Sequence, residues 1–354
     1  MNNLILPVAG LSSRYPNMRP KWLLTMPDGK LMIEKSIAGL EINKFNKVYV
    51  VVLKEHLTKY VDKKKIIKSF KENISKRIKI VVLNKPTTCQ AETVYRAIKM
   101  ENIQGPILVK DCDNMFSFKI NKSLANEVAI LNLNKTELIE AKSKSYVTFD
   151  KLNKITNIIE KKVISNFFCC GGYSFRSAND YVKYTKKLLA KSSDVFISHV
   201  VFSMILDNKI FRVNEVSNYT DWGTLREFRN WQKKHLTIFC DFDGCLVING
   251  SKFGVDGYNT NPISQNLLKI SELTKTGFVE VIIVTSRPKS EIHRIKKILN
   301  KFNIKPKYII TDLFHARRAI INDFANTNPF PSAISINLER DSNKLSNILQ
   351  NLVF

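Results

Sequence analysis

Short apolar runs alternate with helical stretches along this chain, and the alternation starts twice. In the first series, strands are expected over 4–9, 48–53, 78–83 and 107–109, with helices over 57–73 and 91–100. A second series opens at Leu236, with strands over 236–240, 279–284, 307–310 and 319–321 and helices over 264–275 and 289–302. Buried strands separated by helices build parallel sheets covered on both faces. The expected fold class is α/β, as two doubly wound Rossmann-like domains, 1–234 and 235–354. Each series opens with a strand that runs into a glycine turn, but the two turns differ in chemistry: VAGLSSR in the first, CDFDG in the second.

The 354 residues carry a formal net charge of +25. Such an excess draws anionic partners. Here the lysines are spread along the chain rather than gathered in a block, and the aromatic–basic interleaving of single-strand binders is absent. No nucleic-acid partner is expected. The six cysteines form no CxxC pair, and no histidine stands at ligand spacing, so zinc is not expected. That usage fits a reducing cytoplasm. Neither a signal peptide nor an apolar run of membrane-spanning length is evident, so no membrane insertion is expected.

The first glycine turn, Ala9-Gly10-Leu11-Ser12-Ser13-Arg14, follows the first strand, where open α/β sheets bind ligands. Gly10 lets the backbone approach a phosphate, and successive N–H groups can cradle it. Arg14 offers a fork of donors to phosphate oxygens, and Lys21 adds a second cation. The strand over 107–109 ends in Lys110-Asp111-Cys112-Asp113-Asn114. Much later comes Asp221-Trp222-Gly223-Thr224. Two distant aspartates converging on Mg²⁺ suit a nucleoside triphosphate.

With these motifs in this order, residues 1 to about 232 resemble the sugar-phosphate nucleotidyltransferase family. Gly10, Arg14, Pro20 and Lys21 stand where that family has its Gly-x-x-x-Arg loop and Pro-Lys pair. The resemblance implies Arg14 and Lys21 as catalytic cations and Asp113 and Asp221 as Mg²⁺ ligands. It also implies Ala9, Gly10, Gln90 and Glu92 on the nucleotide, and Glu160, Lys161 and Gly172 on the phosphorylated acceptor. Leu11 replaces the second glycine of many members, and the base-reading segment 88–93 lacks the usual glycine, so the base is not assigned.

In Asp241-Phe242-Asp243-Gly244 the two carboxylates point the same way, because residues i and i+2 of an extended chain share a face. One carboxylate can attack phosphorus while the other handles the leaving-group proton. The strand over 279–284 runs into Thr285-Ser286-Arg287, a hydroxyl pair and a cation for phosphate, and the strand over 319–321 into Asn322-Asp323.

Residues 236–354 thus resemble the haloacid dehalogenase-like phosphatases. The resemblance implies Asp241 as nucleophile, Asp243 as acid/base, Thr285, Ser286 and Arg317 on phosphate, and Asp241, Asp243 and Asp323 as Mg²⁺ ligands. Arg317 or Arg318 stands in for the family's lysine, and Asn322 replaces one of its paired acids. The intervals between motifs leave no room for a large cap, so a minimal form of that fold is expected.

Together the two resemblances imply a cytoplasmic bifunctional enzyme. One half would transfer a nucleotidyl group from a nucleoside triphosphate to a sugar phosphate with release of pyrophosphate. The other half would hydrolyse a phosphate monoester through an aspartyl-phosphate. The resemblance points to activated-sugar supply for surface polysaccharide such as capsule. The alternative is a phospho-alcohol or phosphocholine acceptor with a weakened or regulatory C-terminal domain. The oligomeric state is not legible.

Overall fold

The computed structural model describes residues 2–120, 123–136, 140–323 and 332–353. The chain divides into two compact units, Met1–Arg229 and Asn230–Phe354. The division falls within the helix Leu225–Lys233, just before the expected junction after residue 234.

Unit 1 contributes strands β1 (Asn2–Pro7), β2 (Phe45–Leu53), β3 (Ile78–Leu83), β4 (Ile107–Lys110), β5 (Asn114–Ser117) and β6 (Glu127–Asn132). It continues with β7 (Tyr146–Phe149), β8 (Ile155–Ile159), β9 (Phe167–Phe175), β10 (Arg212–Glu215) and β11 (Ser217–Asp221). Nine of them form one sheet, ordered β10-β6-β9-β4-β1-β2-β3, with β7 paired to β9 and β8 to β7; β5 and β11 form a separate ribbon. The half β4-β1-β2-β3 is parallel, as the first series of apolar runs implies. β9 runs antiparallel to both β4 and β6, so the sheet is mixed rather than wholly parallel. The cause is the connection. A parallel return needs a crossover of a dozen or more residues, usually a helix, and Gln90–Glu101 supplies one between β3 and β4. Between β4 and β9 the only helical pieces among the described residues are the single turns Leu133–Lys135 and Ala141–Ser143.

Alternate residues of the central strands face opposite layers. Leu4 and Leu6 pack with Val48, Val50 and Val52 in one apolar cluster; Ile5 packs with Val51 and Val81 in the other. The expected helix over 57–73 is broken into Lys54–Lys59, Lys63–Ser69 and Glu72–Ser75. Asp62 accepts from Lys64 N and starts a new helix in mid-run.

Unit 2 is built on three parallel strands, β12 (Leu236–Asp241), β13 (Val279–Val284) and β14 (Tyr308–Ile310), in that order across the sheet. Helices Ser264–Lys275 and Ile292–Lys301 bury Leu267, Ile270, Ile295 and Leu299 against them. The expected strand over 319–321 does not form: Ile320 and Ile321 are exposed and outside any strand. Three residues without a partner edge cannot hold a strand, however apolar. No helix among the described residues is long and apolar enough to cross a membrane.

Candidate active sites

In unit 1, chain topology brings two carboxylates together. β5 and β11 pair antiparallel with Asn114 opposite Asp221, and Trp222 N donates to the Asp113 carbonyl at 2.7 Å. Gly223 shows the convergence. A Cβ there would lie 3.1 Å from Asp221 Oδ1 and 3.7 Å from both Asp113 Oδ2 and Glu227 Oε2. Each of the two aspartates carries a lysine: Lys21 Nζ is ion-paired to Asp113 Oδ2, and Lys144 Nζ to Asp221 Oδ2. Burial pushes Asp113 up, but Lys21, with Lys144 and Lys110 adding to it, outweighs burial and holds the carboxyl well below the usual range.

The glycine turn is tied to this pair. Lys21 N donates to Ser12 Oγ at 3.0 Å. The buried Tyr15 hydroxyl is shared between the carbonyls of Trp222 and Thr224, bracketing Gly223. Open space surrounds Gly10, while Ala9 is buried in the core behind it. Arg14 is exposed, with no hydrogen-bond or ion-pair partner among the described residues.

On the other side, Gln90 Nε2 donates to Asp111 Oδ1. Glu92 is engaged locally: its carboxylate accepts from Thr88 N and Oγ1 and pairs with Arg96. Glu160 accepts from Ser145 Oγ and, at 2.7 Å, from Ser198 Oγ. The Lys161 ammonium sits 4.4 Å from the Phe196 ring centroid. Gly172 serves packing, because a Cβ there would lie 2.7 Å from the Phe116 ring. Its neighbour Gly171 shapes the site, since a Cβ there would lie 2.2 Å from Asp111 Oδ2.

Lys144, Tyr15 and Glu227 were not singled out from the sequence. Lys144 lies in Lys-Ser-Lys-Ser, whose only signal is that it leads into β7.

In unit 2, Asp241 and Asp243 open onto a cleft of about 290 Å³ shared with Ser286, His315, Arg318 and Arg340. Gly244 takes φ +76°, and its N–H donates to Val247 O at 2.7 Å, so the chain turns back directly after the second carboxylate. Burial raises the Asp241 carboxyl, opposed by Arg318, whose Nη2 stands 3.3 Å from Oδ1.

Arg287 does not offer its charge to the cleft. Its fully buried side chain donates from Nε to both oxygens of Asp243, at 3.1 and 2.9 Å, and from Nη2 to Oδ1 at 2.6 Å. The guanidinium lies between the rings of Phe242 and Tyr258, at 5.0 and 4.8 Å. Thr285 is buried behind Asp243, its hydroxyl 3.4 Å from Oδ2. Arg317 is exposed and does not line the cleft; Arg318 does. Asp323 is exposed, ends no strand and is not among the lining residues.

Among the described residues, no group of three or more His, Cys, Asp or Glu side chains is arranged to hold a metal ion. For unit 1 that is compatible with Mg²⁺, which keeps several waters and takes one or two carboxylates plus substrate phosphates. The pair Asp113 and Asp221 meets this demand. In unit 2 the set Asp241, Asp243 and Asp323 does not: Arg287 occupies both oxygens of Asp243, and Asp323 lies outside the cleft.

No protein-family model matches the chain, and no curated protein matches it. Solved structures do match its fold. A nucleoside-diphosphate-sugar pyrophosphorylase from Vibrio cholerae RC9 is 19% identical with a TM-score of 0.55, covering 65% of this chain and 99% of its own. The inositol-1-phosphate CTP transferase from T. maritima is 15% identical with a TM-score of 0.53, covering 64% and 90%. A UDP-glucose pyrophosphorylase complexed with UDP-glucose is 15% identical with a TM-score of 0.51, covering 66% and 97%. About two thirds of this chain therefore has the fold of these nucleotide-sugar and nucleotidyl-transfer enzymes.

Proposed function

We propose that unit 1 is a nucleotidyltransferase that joins a nucleoside triphosphate to a phosphorylated sugar and releases pyrophosphate. The observation that carries this reading is the double ion pair, Lys21 on Asp113 and Lys144 on Asp221, gathered around Gly223. An acceptor phosphate oxygen attacks the α-phosphorus, and the bond to the bridging oxygen breaks, leaving pyrophosphate. Little covalent work falls to the protein; it positions the reactants and neutralises charge. Arg14, without a hydrogen-bond or ion-pair partner among the described residues, and Lys21, at the glycine turn, would hold the triphosphate. Asp113 and Asp221 would hold Mg²⁺, which supplies charge neutralisation at the phosphates. Similarity of fold to enzymes acting on nucleotide sugars and inositol 1-phosphate supports a phosphorylated polyol as acceptor.

The test is pyrophosphate release with each nucleoside triphosphate and a panel of sugar phosphates, phospho-alcohols and phosphocholine. Asp113→Asn and Asp221→Asn should each lower release by about 10²-fold or more while the fold survives. Near-normal release from either variant sinks the assignment.

A second activity is proposed for unit 2, on the observation that Asp241, Asp243, Ser286 and Arg318 share one cleft. Asp241 would attack the phosphorus of a phosphate monoester, the bond to the ester oxygen would break and the alcohol would leave with a proton from Asp243, and water would then hydrolyse the aspartyl-phosphate to free phosphate. Arg287 would fix the orientation of Asp243 for proton handling. Removal of one phosphate and coupling of another would serve a single supply of activated sugar, of the kind used for surface polysaccharide.

A further inference from the structure

We propose that Lys144 is a specificity-determining residue for the acceptor: it leaves Asp221 when the metal–nucleotide binds and takes hold of the acceptor's phosphate. The proposal rests on the nucleotidyltransferase reading of unit 1. It starts from the position of Lys144 in the chain. Lys161 N donates to the Lys144 carbonyl at 3.0 Å, which sets Lys144 directly beside Glu160 and Lys161. The next residue, Ser145, donates its hydroxyl to Glu160. Lys144 thus belongs to the segment that carries the hydroxyl-lined carboxylate, whereas Lys21 is bonded to the glycine turn through Ser12.

Charge balance then divides the two lysines. At rest each of the two aspartates faces one ammonium group, and each pair is neutral. The Lys144 side chain is only 16% exposed, with its Nζ also 3.2 Å from Tyr219 Oη, so it has little water to fall back on. A divalent cation that takes Asp113 and Asp221 removes the partner of each lysine and repels both. A displaced ammonium with little solvent needs another anion. Lys21 finds one in the triphosphate at the glycine turn. The neighbouring carboxylates are already engaged, Glu160 by the hydroxyls of Ser145 and Ser198 and Glu227 by Thr224 N and Oγ1, so the anion that Lys144 meets on the Glu160 side is the acceptor's phosphate. Glu160, with hydroxyl donors and no ion-pair partner among the described residues, suits the hydroxyls of a polyol rather than its phosphate. Nucleotide loading therefore creates the acceptor's phosphate site, and binding is ordered.

Amine labelling of the full-length protein, read by mass spectrometry, tests the exchange without reference to turnover. Lys144 should be acylated slowly in the free protein. It should be acylated faster with Mg²⁺ and the nucleoside triphosphates, and be protected again when inorganic phosphate is added as the acceptor probe. Kinetics with the best acceptor of the panel give the second arm. Lys144→Met should raise the acceptor KM by about 10–100-fold, the loss expected for a charge-assisted hydrogen bond, and leave the triphosphate KM nearly unchanged. Lys144→Arg, which keeps the charge, should recover most of the affinity. Labelling that ignores Mg²⁺ and nucleotide, or a triphosphate KM that rises as much as the acceptor's, overturns the proposal. If the wild type releases no pyrophosphate with any pair, the nucleotidyltransferase reading fails. The labelling response alone then decides whether Lys144 exchanges partners.

Discussion

Lys110 and Asp111 are adjacent at the end of β4, and burial acts on them in opposite directions. Lys110 is fully buried, its ammonium donating to the carbonyls of Asp111 and Asn114 at 2.7 and 2.9 Å and lying 4.3 Å from the Phe116 ring centroid. Burial pulls its pKa down from 10.5 to about 8. Asp111 is pushed up from 3.8 to about 6, by burial first and then by the charge of Asp113. A carboxyl whose folded pKa lies above its unfolded value binds its proton more tightly when folded. Stability therefore falls as pH rises from about 4 through 6, and the penalty is fully present above that window. Asp111→Asn keeps the shape and removes the charge. It should stabilise unit 1 at pH 7.5 by on the order of 1–3 kcal/mol, with the gain gone at pH 4. Melting curves of both proteins across that range check it, and a gain that persists at pH 4 contradicts it. Lys110 works in the other window: its penalty is present below about 8 and is relieved as pH rises toward 10.5.

β9 holds the site from behind, and its two glycines have separate reasons to be glycine. Gly171 takes φ +77°, and any Cβ would meet the Asp111 carboxylate. Gly171→Ala should destabilise unit 1 by about 2–4 kcal/mol through backbone strain and displacement of Asp111. It should also weaken nucleotidyl transfer, because Gln90 is bonded to that same carboxylate. Chemical denaturation of the variant beside wild type measures the first effect, and a loss below about 1 kcal/mol would show that the neighbours yield. β1 to β4 and the helix Gln90–Glu101 are legible in the sequence, because apolar runs and helical spacing are local signals. The direction of β9 is not, since pairing partners far apart leave no mark on periodicity. For the same reason Arg287 reads from its neighbours as a cation for phosphate and proves to be the buried partner of Asp243. The convergence of Lys21, Asp113 and Asp221 follows the order of the motifs along the chain, whereas Lys144 reads as one surface lysine among many.

At the scale of the whole chain, the two compact units separate the residues of the two proposed chemistries. Asp241→Asn removes the nucleophile proposed for unit 2 and touches nothing in the Asp113–Asp221 pair. Phosphate release from phosphorylated sugars and alcohols should fall to background, while pyrophosphate release stays at the wild-type rate. Equal phosphate release by variant and wild type on every substrate would leave unit 2 without the proposed activity.

The ribbon of β5 and β11 that joins Asp113 to Asp221 also sets when a nascent chain acquires its chemistry. Tyr15 and Trp222, bonded in the finished fold, are 207 residues apart; Lys21 and Asp113 are 92 apart, and Lys144 and Asp221 are 77 apart. Synthesis runs from the N-terminus, and domains fold largely as units as they emerge. The glycine turn and both lysines leave the ribosome long before the second aspartate does. A chain arrested between β5 and β11 therefore has the glycine turn but half of the carboxylate pair, and such translation fragments should be silent in pyrophosphate release.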